Sequence, residues 1–349
     1  MKDQAGSCCL PQAKRGTAQG GTAAAIPETR AFSSEGMILL AGGSFLMGSE
    51  GREIWPQDGE GPVRAVSLDA FWIDECAVTS GAFEAFVAAT GYVTEAENFG
   101  WSFVHSSQLS GEERGKRKAF RVQGLEWWYR VDGADWRHPL TPEVSVREMR
   151  RLDHPAVHLA WSDAAAYARW CGKRLPTEAE WEYASRGGLE QKIYPWGDEL
   201  TPGGKHRCNI WQGEFPKKDR GEDGYRGTAP ARSFKPNGYG LYNMTGNVWE
   251  WVNDWFDPDY AAYGTRTNPP GPNRGETRVM RGGSYLCHAS YCNRYRCSAR
   301  TANTPDTSSG HLGFRCAADG QRGRECPGTL PKSGVEAGPP LAAPVLTPV

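Results

Sequence analysis

The chain has 349 residues, and its 40 lysine and arginine residues nearly balance 41 aspartate and glutamate residues. This balance predicts no broad positive surface for nucleic acid or for an anionic membrane. No stretch approaches the ~20 consecutive apolar residues that cross a bilayer, and residues 1–10 lack the apolar core of a signal peptide. We therefore expect a cytoplasmic protein with no membrane partner.

Composition predicts one domain with long ordered loops between two disordered tails. The 43 glycines, 24 prolines and 14 tryptophans suit loops that large aromatic side chains hold in place. Residues 1–34 and 321–349 lack hydrophobic periodicity and are predicted to be disordered tails. No linker interrupts residues 35–320, which are predicted to form the single domain.

Few regular elements can be predicted inside residues 35–320. Strands are expected where β-forming residues cluster or alternate, and helices where a capping residue precedes an apolar face that a glycine ends. In chain order, the predicted elements are strands at Arg64–Leu68 and Phe71–Ile73, helices from Ser80 to Gly91, from Ser162 to Gly172 and from Thr177 to Gly187, and a strand at Arg278–Arg281. The rest is predicted to be loop, so the fold class is α+β with little regular secondary structure.

One segment, Arg281-Gly-Gly-Ser-Tyr-Leu-Cys-His-Ala-Ser-Tyr-Cys-Asn-Arg-Tyr-Arg296, concentrates groups that can do chemistry. Cys287 and Cys292 are five residues apart, and the arginines near them favour the thiolate form. Zinc would need four ligands, and only His288 and the distant His311 are available to complete the set. The residue types leave open a structural disulfide, a redox-active pair and a two-thiolate site for a soft ion such as Cu(I).

Two groups of polar loops could supply oxygen ligands. Residues 209–213 with 221–225, and residues 243–250, combine amide side chains, a carboxylate and loop carbonyls, which together can bind Ca²⁺. The same residue types form Asx turns and capping loops more often than metal sites. On residue types alone, both groups are therefore predicted to be turns.

Taken in order, the motifs resemble those of the formylglycine-generating enzyme family, the sulfatase-modifying factors, over about residues 37–319. The matching runs are Gly43-Ser-Phe-Leu-Met-Gly48, His154-Pro-Ala-Val-His-Leu-Ala-Trp161, Gly172-Lys-Arg-Leu-Pro-Thr-Glu-Ala-Glu-Trp-Glu-Tyr183, Tyr194-Pro-Trp-Gly197, Asn209-Ile-Trp-Gln-Gly213, Asn237-Gly-Tyr-Gly-Leu-Tyr-Asn-Met-Thr-Gly-Asn-Val-Trp-Glu-Trp251, Gly282–Arg296, Asn303-Thr-Pro-Asp306 and Leu312-Gly-Phe-Arg315. The run that begins at Gly172 is shared by a wider superfamily and identifies only the fold. The segment with both cysteines is more specific, because non-catalytic relatives lack them. The implied fold is this family's loop-rich α+β domain, which is related to C-type lectin-like domains.

The resemblance implies an oxidase that acts on unfolded sulfatases. It would convert the cysteine of a Cys-x-Pro-x-Arg segment to Cα-formylglycine with O₂. Family members hold Cu(I) between two thiolates, which correspond here to Cys287 and Cys292. Ser284 and Trp249 correspond to pocket residues that position substrate and oxygen. A monomer without a nucleic acid partner is expected.

The same resemblance implies two structural Ca²⁺ ions and so reverses the interpretation of the polar loops as plain turns. The ligands of the first ion would be Asn209, the carbonyl of Ile210, Asp223 and the carbonyl of Tyr225. The ligands of the second would be Asn243, the carbonyls of Gly246 and Val248, and Glu250. These ions would stiffen loops that lack regular structure.

The remaining cysteines depart from the animal relatives, which carry two disulfides. Cys297 and Cys316 match members of those bridges, but the partner positions hold Ala168 and Ser185. A shifted bridge between Cys316 and Cys171 is left open. The pattern favours an intracellular, bacterial-type enzyme. Cys8 and Cys9 lie in the predicted tail and have no role in this interpretation.

Two other functions compete with this one. A non-catalytic binding module would share the fold, but the cysteine pair argues against it. An iron-dependent sulfoxide synthase shares the domain but needs a His-x3-His-x-Glu motif and an additional helical domain. Here His154 and His158 are followed by Leu159 and Ala160, and the chain has no room for that domain. The copper-dependent oxidase remains the leading hypothesis.

Overall fold

The structure is a computed structural model that describes residues 11–13, 29–260 and 266–321. Most of the predicted tails, 1–34 and 321–349, lies outside the described residues. Within the described ranges, no helix combines the length and the apolar character needed to cross a bilayer. The chain just before the first strand contacts the domain at Arg30, whose backbone N–H donates to Trp170 O at 2.8 Å.

The helices are short. In chain order they are α1 (Ser80–Thr90), α2 (Glu95–Phe99), α3 (Gly111–Lys116), α4 (Trp161–Trp170) and α5 (Glu178–Arg186), with short 3₁₀ turns at Pro56–Asp58, Ser106–Gln108, Lys118–Phe120 and Pro202–Gly204. The strands are β1 (Met37–Leu40), β2 (Gly43–Met47), β3 (Arg64–Leu68), β4 (Phe71–Asp74), β5 (Trp101–His105), β6 (Arg121–Val122), β7 (Leu125–Asp132), β8 (Gly213–Glu214), β9 (Lys218–Asp219), β10 (Trp249–Trp255), β11 (Arg278–Arg281), β12 (Arg300–Asn303), β13 (Leu312–Phe314) and β14 (Ala317–Asp319). Long loops join these elements, which confirms the loop-rich α+β class.

A mixed four-stranded sheet, in the order β12-β11-β10-β13, carries the segments of interest. Strand β10 pairs antiparallel with β11 and parallel with β13, which places Trp249 opposite Leu312. A second sheet, β1-β4-β14, brings the last described strand beside β4. A third sheet, β5-β7-β6, is antiparallel. Residues far apart in the chain therefore meet at the ends of β10, β11 and β13.

The predicted strands agree with the structure, and the predicted helices differ from it at their first residues. Thr79, and not Ser80, caps α1, and its hydroxyl accepts from Ala82 N at 3.2 Å. Helix α4 begins at Trp161, before the predicted cap at Ser162. The predicted capping box of α5 is confirmed. These differences are of the size expected at helix ends.

The prediction of loop outside those six elements is wrong for several strands, of which β5, β7 and β10 matter most for the site. In β10, Trp249, Glu250, Trp251 and Val252 are all buried. The alternation of its first residues, Trp249 to Trp251, stops where the register of its pairing with β11 shifts, so the alternating run is too short to predict a strand.

Large aromatic side chains fill the core, as the composition predicts. The fully buried tryptophans are Trp128, Trp136, Trp181, Trp211, Trp249 and Trp251. Buried arginines add ion pairs between elements. Arg315 donates to both carboxylate oxygens of Glu250, at 2.7 and 2.8 Å. The loops are thus held by rings and by buried charge pairs as well as by strand ladders.

Candidate active site

The two thiols lie in the loop that follows β11. Gly283 has a φ of 73°, and a Cβ at this position would lie 3.0 Å from neighbouring backbone, so only glycine fits without strain. Two tight turns come next. Ser284 O accepts from Cys287 N at 2.9 Å, and His288 O accepts from Cys292 N at 2.7 Å. The turns bring the two cysteine side chains together.

The sulfur atoms of Cys287 and Cys292 are 3.5 Å apart, and both residues are fully buried. A disulfide bond is about 2.05 Å long, so the pair is present as thiols. Ser284 N donates to the first sulfur at 3.4 Å, and Arg294 Nη1 approaches the second at 3.8 Å. Both donors stabilise negative charge on sulfur. Arg294 and Arg296 each form an ion pair with a buried carboxylate, with Asp58 and Glu60 respectively.

Ser284 and Trp249, the other two predicted catalytic residues, are joined through a histidine. The Ser284 hydroxyl lies 3.0 Å from His311 Nδ1. Trp249 N donates to His311 O at 2.9 Å because β10 and β13 run side by side there. Burial lowers the pKa of His311 to about 3, so the ring is neutral. From the sequence alone, this histidine is expected at most as a distant zinc ligand.

Several buried polar atoms around this histidine have no hydrogen-bond partner. They are His311 Nε2, Trp249 Nε1, Trp211 Nε1 and His105 Nε2. The rings of His311, His105 and Trp211 belong to one contact network, since Trp128 lies 4.9 Å from His311 and 5.4 Å from His105, and His105 lies 5.7 Å from Trp211. Trp211 also donates its backbone N–H to the carbonyl of Cys287 at 3.1 Å. Buried polar groups are nearly always paired, so these unpaired atoms are suited to binding a small molecule.

A partly exposed aromatic rim borders the thiol loop. Tyr291 immediately precedes Cys292, and its ring lies 4.9 Å from Phe215 and 5.4 Å from Trp127. Tyr285, which the motif also places near the cysteines, is only 3% exposed. This rim is not among the features predicted from the sequence. The signal was present in the doublet at positions 127 and 128 of β7, because adjacent residues of a strand face opposite sides.

The donor set of the thiol loop fits a soft, two-coordinate cation. Two closely spaced buried sulfurs are the ligands that Cu(I) prefers. His288 is turned away from this role, since its Nδ1 lies 2.8 Å from Ser290 Oγ. Within the described ranges, His, Cys, Asp and Glu side chains form no group of three or more that could hold a metal.

In the first predicted calcium loop, a carboxylate and a backbone carbonyl both contact the side-chain amide of Gln212. Gln212 Nε2 donates to Asp223 Oδ2 at 2.7 Å and also contacts Ile210 O. The amide nitrogen thus lies between a carboxylate and a carbonyl, where a hard cation would also bind. Ile210 N donates to Asp223 Oδ2 at 3.0 Å, which joins the two loop segments, and Tyr225 N donates to Asp223 Oδ1 at 3.0 Å within the second segment. Asn209 lies buried beside them, with its amide bonded to a loop carbonyl at 2.7 Å.

The second predicted calcium loop fits in part. Asn243 Oδ1 is buried without a hydrogen-bond partner, as expected of an oxygen that awaits a cation. Gly246 adopts a φ of 76°, and Val248 is buried just before β10. The Glu250 carboxylate, however, is held on both oxygens by Arg315. The geometry favours Asn243 as a side-chain ligand and makes Glu250 an ion-pair partner.

Cys171, Cys297 and Cys316 are also thiols in this structure. Cys171 and Cys316 are not joined, so the shifted bridge that the sequence leaves open is not formed. Cys297 is fully buried and lies beside Ser185. The structure thus pairs Cys297 with the serine at the position where the animal relatives are expected to have a cysteine.

Comparison with known families identifies the fold. Residues 22–320 match the model of the sulfatase-modifying factor enzyme 1-like domain. The match spans most of the chain, so this chain belongs to the sulfatase-modifying factor family. The solved structure of PvdO from Pseudomonas aeruginosa is similar in fold, with a TM-score of 0.59 at 24% identity, over 81% of this chain and 94% of that chain.

Individual relatives are more similar in sequence. The formylglycine-generating enzyme of Thermomonospora curvata is 57% identical over 289 residues, 82% of this chain and 94% of the relative. That of Bos taurus is 50% identical over 326 residues, 90% of this chain and 86% of the relative. A third relative, the inactive C-alpha-formylglycine-generating enzyme 2 of Bos taurus, is 46% identical over 289 residues. The family therefore includes enzymes and at least one inactive member.

Proposed function

We propose that this protein is a formylglycine-generating oxidase that converts a cysteine of a sulfatase to Cα-formylglycine. The observation that carries the proposal is the pair of buried thiols, 3.5 Å apart, in a chain 57% identical to an enzyme of that name. The inactive relative is a weaker guide, because the family's non-catalytic members are expected to lack both cysteines. The proposed substrate segment is Cys-x-Pro-x-Arg in an unfolded chain.

Cys287 and Cys292 would hold a Cu(I) ion, which when bound supplies the one-electron chemistry of O₂ that side chains cannot perform. The chain's own residues prepare the site. Arg294 stabilises negative charge on sulfur, and complete burial keeps water from the reacting atoms. The unpartnered N–H groups of Trp249 and Trp211 are available to O₂ or to the oxygen species it forms. Ser284, oriented by His311, would position the substrate carbon.

The partly exposed rim of Trp127, Phe215 and Tyr291 would receive the peptide. Its rings offer flat apolar surface beside the thiol loop, which suits packing against a proline. Trp249 and Tyr285 are too deeply buried to form this surface themselves. An extended, unfolded segment would fit better than a folded one, because its cysteine must reach buried sulfurs. We further propose a monomer that acts in the cytoplasm, where the described cysteines would remain thiols.

A peptide assay tests the function. The protein, loaded with Cu(I), is incubated with oxygen and a Cys-x-Pro-x-Arg peptide, and the products are weighed by mass spectrometry. We expect loss of the thiol mass and appearance of an aldehyde that reacts with hydrazide probes. The matched control replaces the peptide's cysteine with serine, whose hydroxyl is a poor ligand for a soft ion. Conversion of the serine peptide at the same rate would contradict the thiolate mechanism, and no conversion of either peptide would contradict the function.

Calcium is proposed to be structural in both loops. An ion bound only by the folded state at 100 times its Kd adds about 2.7 kcal/mol to the free energy of unfolding. Chelation should therefore lower the melting temperature by several degrees. The measurement is a thermal melt with and without chelator, for the wild type and for an Asp223→Asn variant. The variant should show a smaller shift, and an unchanged wild-type melt would contradict both sites.

A further inference from the structure

A small cavity adjoins the candidate active site. It has a volume of about 20 Å³, which is enough for one or two molecules or ions of the size of water. Arg151, Tyr285 and Gly310 are among the residues that line it, and Tyr285 Oη donates to Gly310 O at 3.3 Å. Tyr285 follows Ser284 in the chain, and Gly310 precedes His311. One wall of the cavity is therefore built by the segments that carry the candidate active site.

Arg151 is half-buried in this wall without a counter-charge. Burial lowers the pKa of its guanidinium, and within the described part of the chain no carboxylate pairs with it. More deeply buried arginines of the domain are paired, Arg281 with Glu178 and Glu182, Arg296 with Glu60, Arg300 with Glu178 and Arg315 with Glu250. A cation taken out of water without an opposite charge costs free energy, which a bound anion would offset.

The rest of the cavity wall carries no charge that would repel an anion. No aspartate or glutamate is among the described residues that line the cavity. Burial, and then the charge of Arg151, lower the pKa of His154 to about 4, so this ring is neutral, and its Nδ1 lies 2.9 Å from Thr228 Oγ1. Apolar side chains such as Val104 and Leu140 cover much of the wall. A single guanidinium among apolar groups matches a small, weakly hydrated anion with one negative charge, because a dianion would keep an uncompensated charge.

The backbone around Arg151 is fixed by hydrogen bonds to other parts of the fold. Arg151 N donates to Val146 O at 2.9 Å, and His154 N donates to Arg151 O at 3.2 Å. Ser80 N, at the start of α1, donates to His154 O at 2.8 Å. An arginine whose backbone is held in this way loses less conformational freedom when an ion binds, which favours binding.

We propose that this cavity is a binding site for one small monovalent anion of the halide class, such as chloride, with Arg151 as its ligand. The ion would neutralise the guanidinium and so stabilise the wall that Tyr285 and Gly310 share with the candidate active site. The thiols have no part in this site, so the proposal does not depend on the proposed function.

Melting temperatures of the full chain test the site. Replacing sodium gluconate, whose anion is too large for the cavity, by sodium chloride at constant ionic strength should raise the melting temperature of the wild type, by about 2 °C or more at roughly ten times the Kd. Arg151→Gln removes the charge in the cavity and should abolish the shift. The matched control is Arg150→Gln, which removes the same charge from an exposed neighbour and should keep the shift. Equal shifts in all three proteins, or no shift in the wild type, would overturn the proposal.

Bromide locates the ion and keeps the test decisive if Arg151→Gln does not fold. Crystals of the wild type soaked in sodium bromide should show an anomalous scattering peak within hydrogen-bond distance of the Arg151 guanidinium. Arg151→Lys, which keeps the charge but loses the planar fork of donors, should show a weaker peak at the same place. Bromide found only at exposed side chains would contradict the site, whether or not the protein is an active oxidase.

Discussion

Replacing Cys292 with serine should reduce formylglycine formation to background, a loss of roughly 10³-fold or more. A serine hydroxyl is a hard, mostly protonated ligand, so it cannot take the place of a thiolate on a soft ion. The wild type should bind one Cu(I) per chain, and Cys292→Ser should bind it far more weakly. The measurements are peptide conversion by mass spectrometry and Cu(I) titration against a competing chelator. Cys287→Ser should give the same result, because the two sulfurs act together.

The matched control for this prediction is Cys171→Ser, which changes a half-buried thiol outside the loop. It should retain both copper binding and turnover. Melting temperatures of all the variants separate chemistry from folding, since a buried cysteine also contributes packing. Wild-type turnover in Cys292→Ser would contradict the two-thiolate site. An equal loss in Cys171→Ser would show that the assay reports stability.

The thiol loop could be predicted because its chemistry is local. Cys287 and Cys292 are five residues apart, and the glycine pair before them predicts the turn that brings them together. The partners that complete the site are not local. His311 reaches Ser284 across 27 positions, through the parallel pairing of β10 and β13. No periodicity in the sequence signals such a contact, because it depends on which strands become neighbours.

Prediction of the fold was limited in the same way, because local sequence signals do not reveal which distant segments become neighbours. Capping residues and glycines are local signals, so the three predicted helices exist and differ from the structure mainly at their first residues. Strand β10 was missed because the alternation of its first residues, Trp249 to Trp251, stops where the register of its pairing with β11 shifts, so the run of alternating residues is too short to predict a strand. The calcium loops show a third case. Their residue types form turns more often than metal sites, and the convergence of Asp223 and Ile210 on the Gln212 amide joins two separate loop segments, which no local pattern signals.

A buried arginine explains how a loop rich in glycine can hold its geometry. Arg281, the last residue of β11, donates to Glu178 at 3.1 Å and to Glu182 at 2.6 Å. The same guanidinium donates to the carbonyls of Cys297 at 2.9 Å and Ser298 at 3.1 Å. One side chain therefore closes the loop at both ends and fixes it to α5. Preorganisation of this kind is what a site that holds a metal and a peptide together requires.

His311 is predicted to position Ser284, and its replacement should have the second-largest effect on turnover. His311→Phe keeps a ring in the buried space but removes Nδ1, the atom that lies 3.0 Å from the Ser284 hydroxyl. We expect kcat to fall about 10²-fold, the usual cost of losing one preorganised polar contact. KM should change little, because the peptide binds at the rim and not at this ring. His311→Asn, which places an amide near the position of Nδ1, should recover much of the loss.

A double-mutant cycle with Ser284→Ala distinguishes this role from a structural one. If the histidine acts through the serine, the double variant should be no slower than the worse single variant. The matched control is His288→Phe, because the hydrogen bonds described for the His288 ring go to the nearby Ser290 and the change should be tolerated. Thermal melts of each variant show whether the fold is intact. Independent, additive losses in kcat would mean that His311 contributes to folding or to another step, and that Ser284 does not need it.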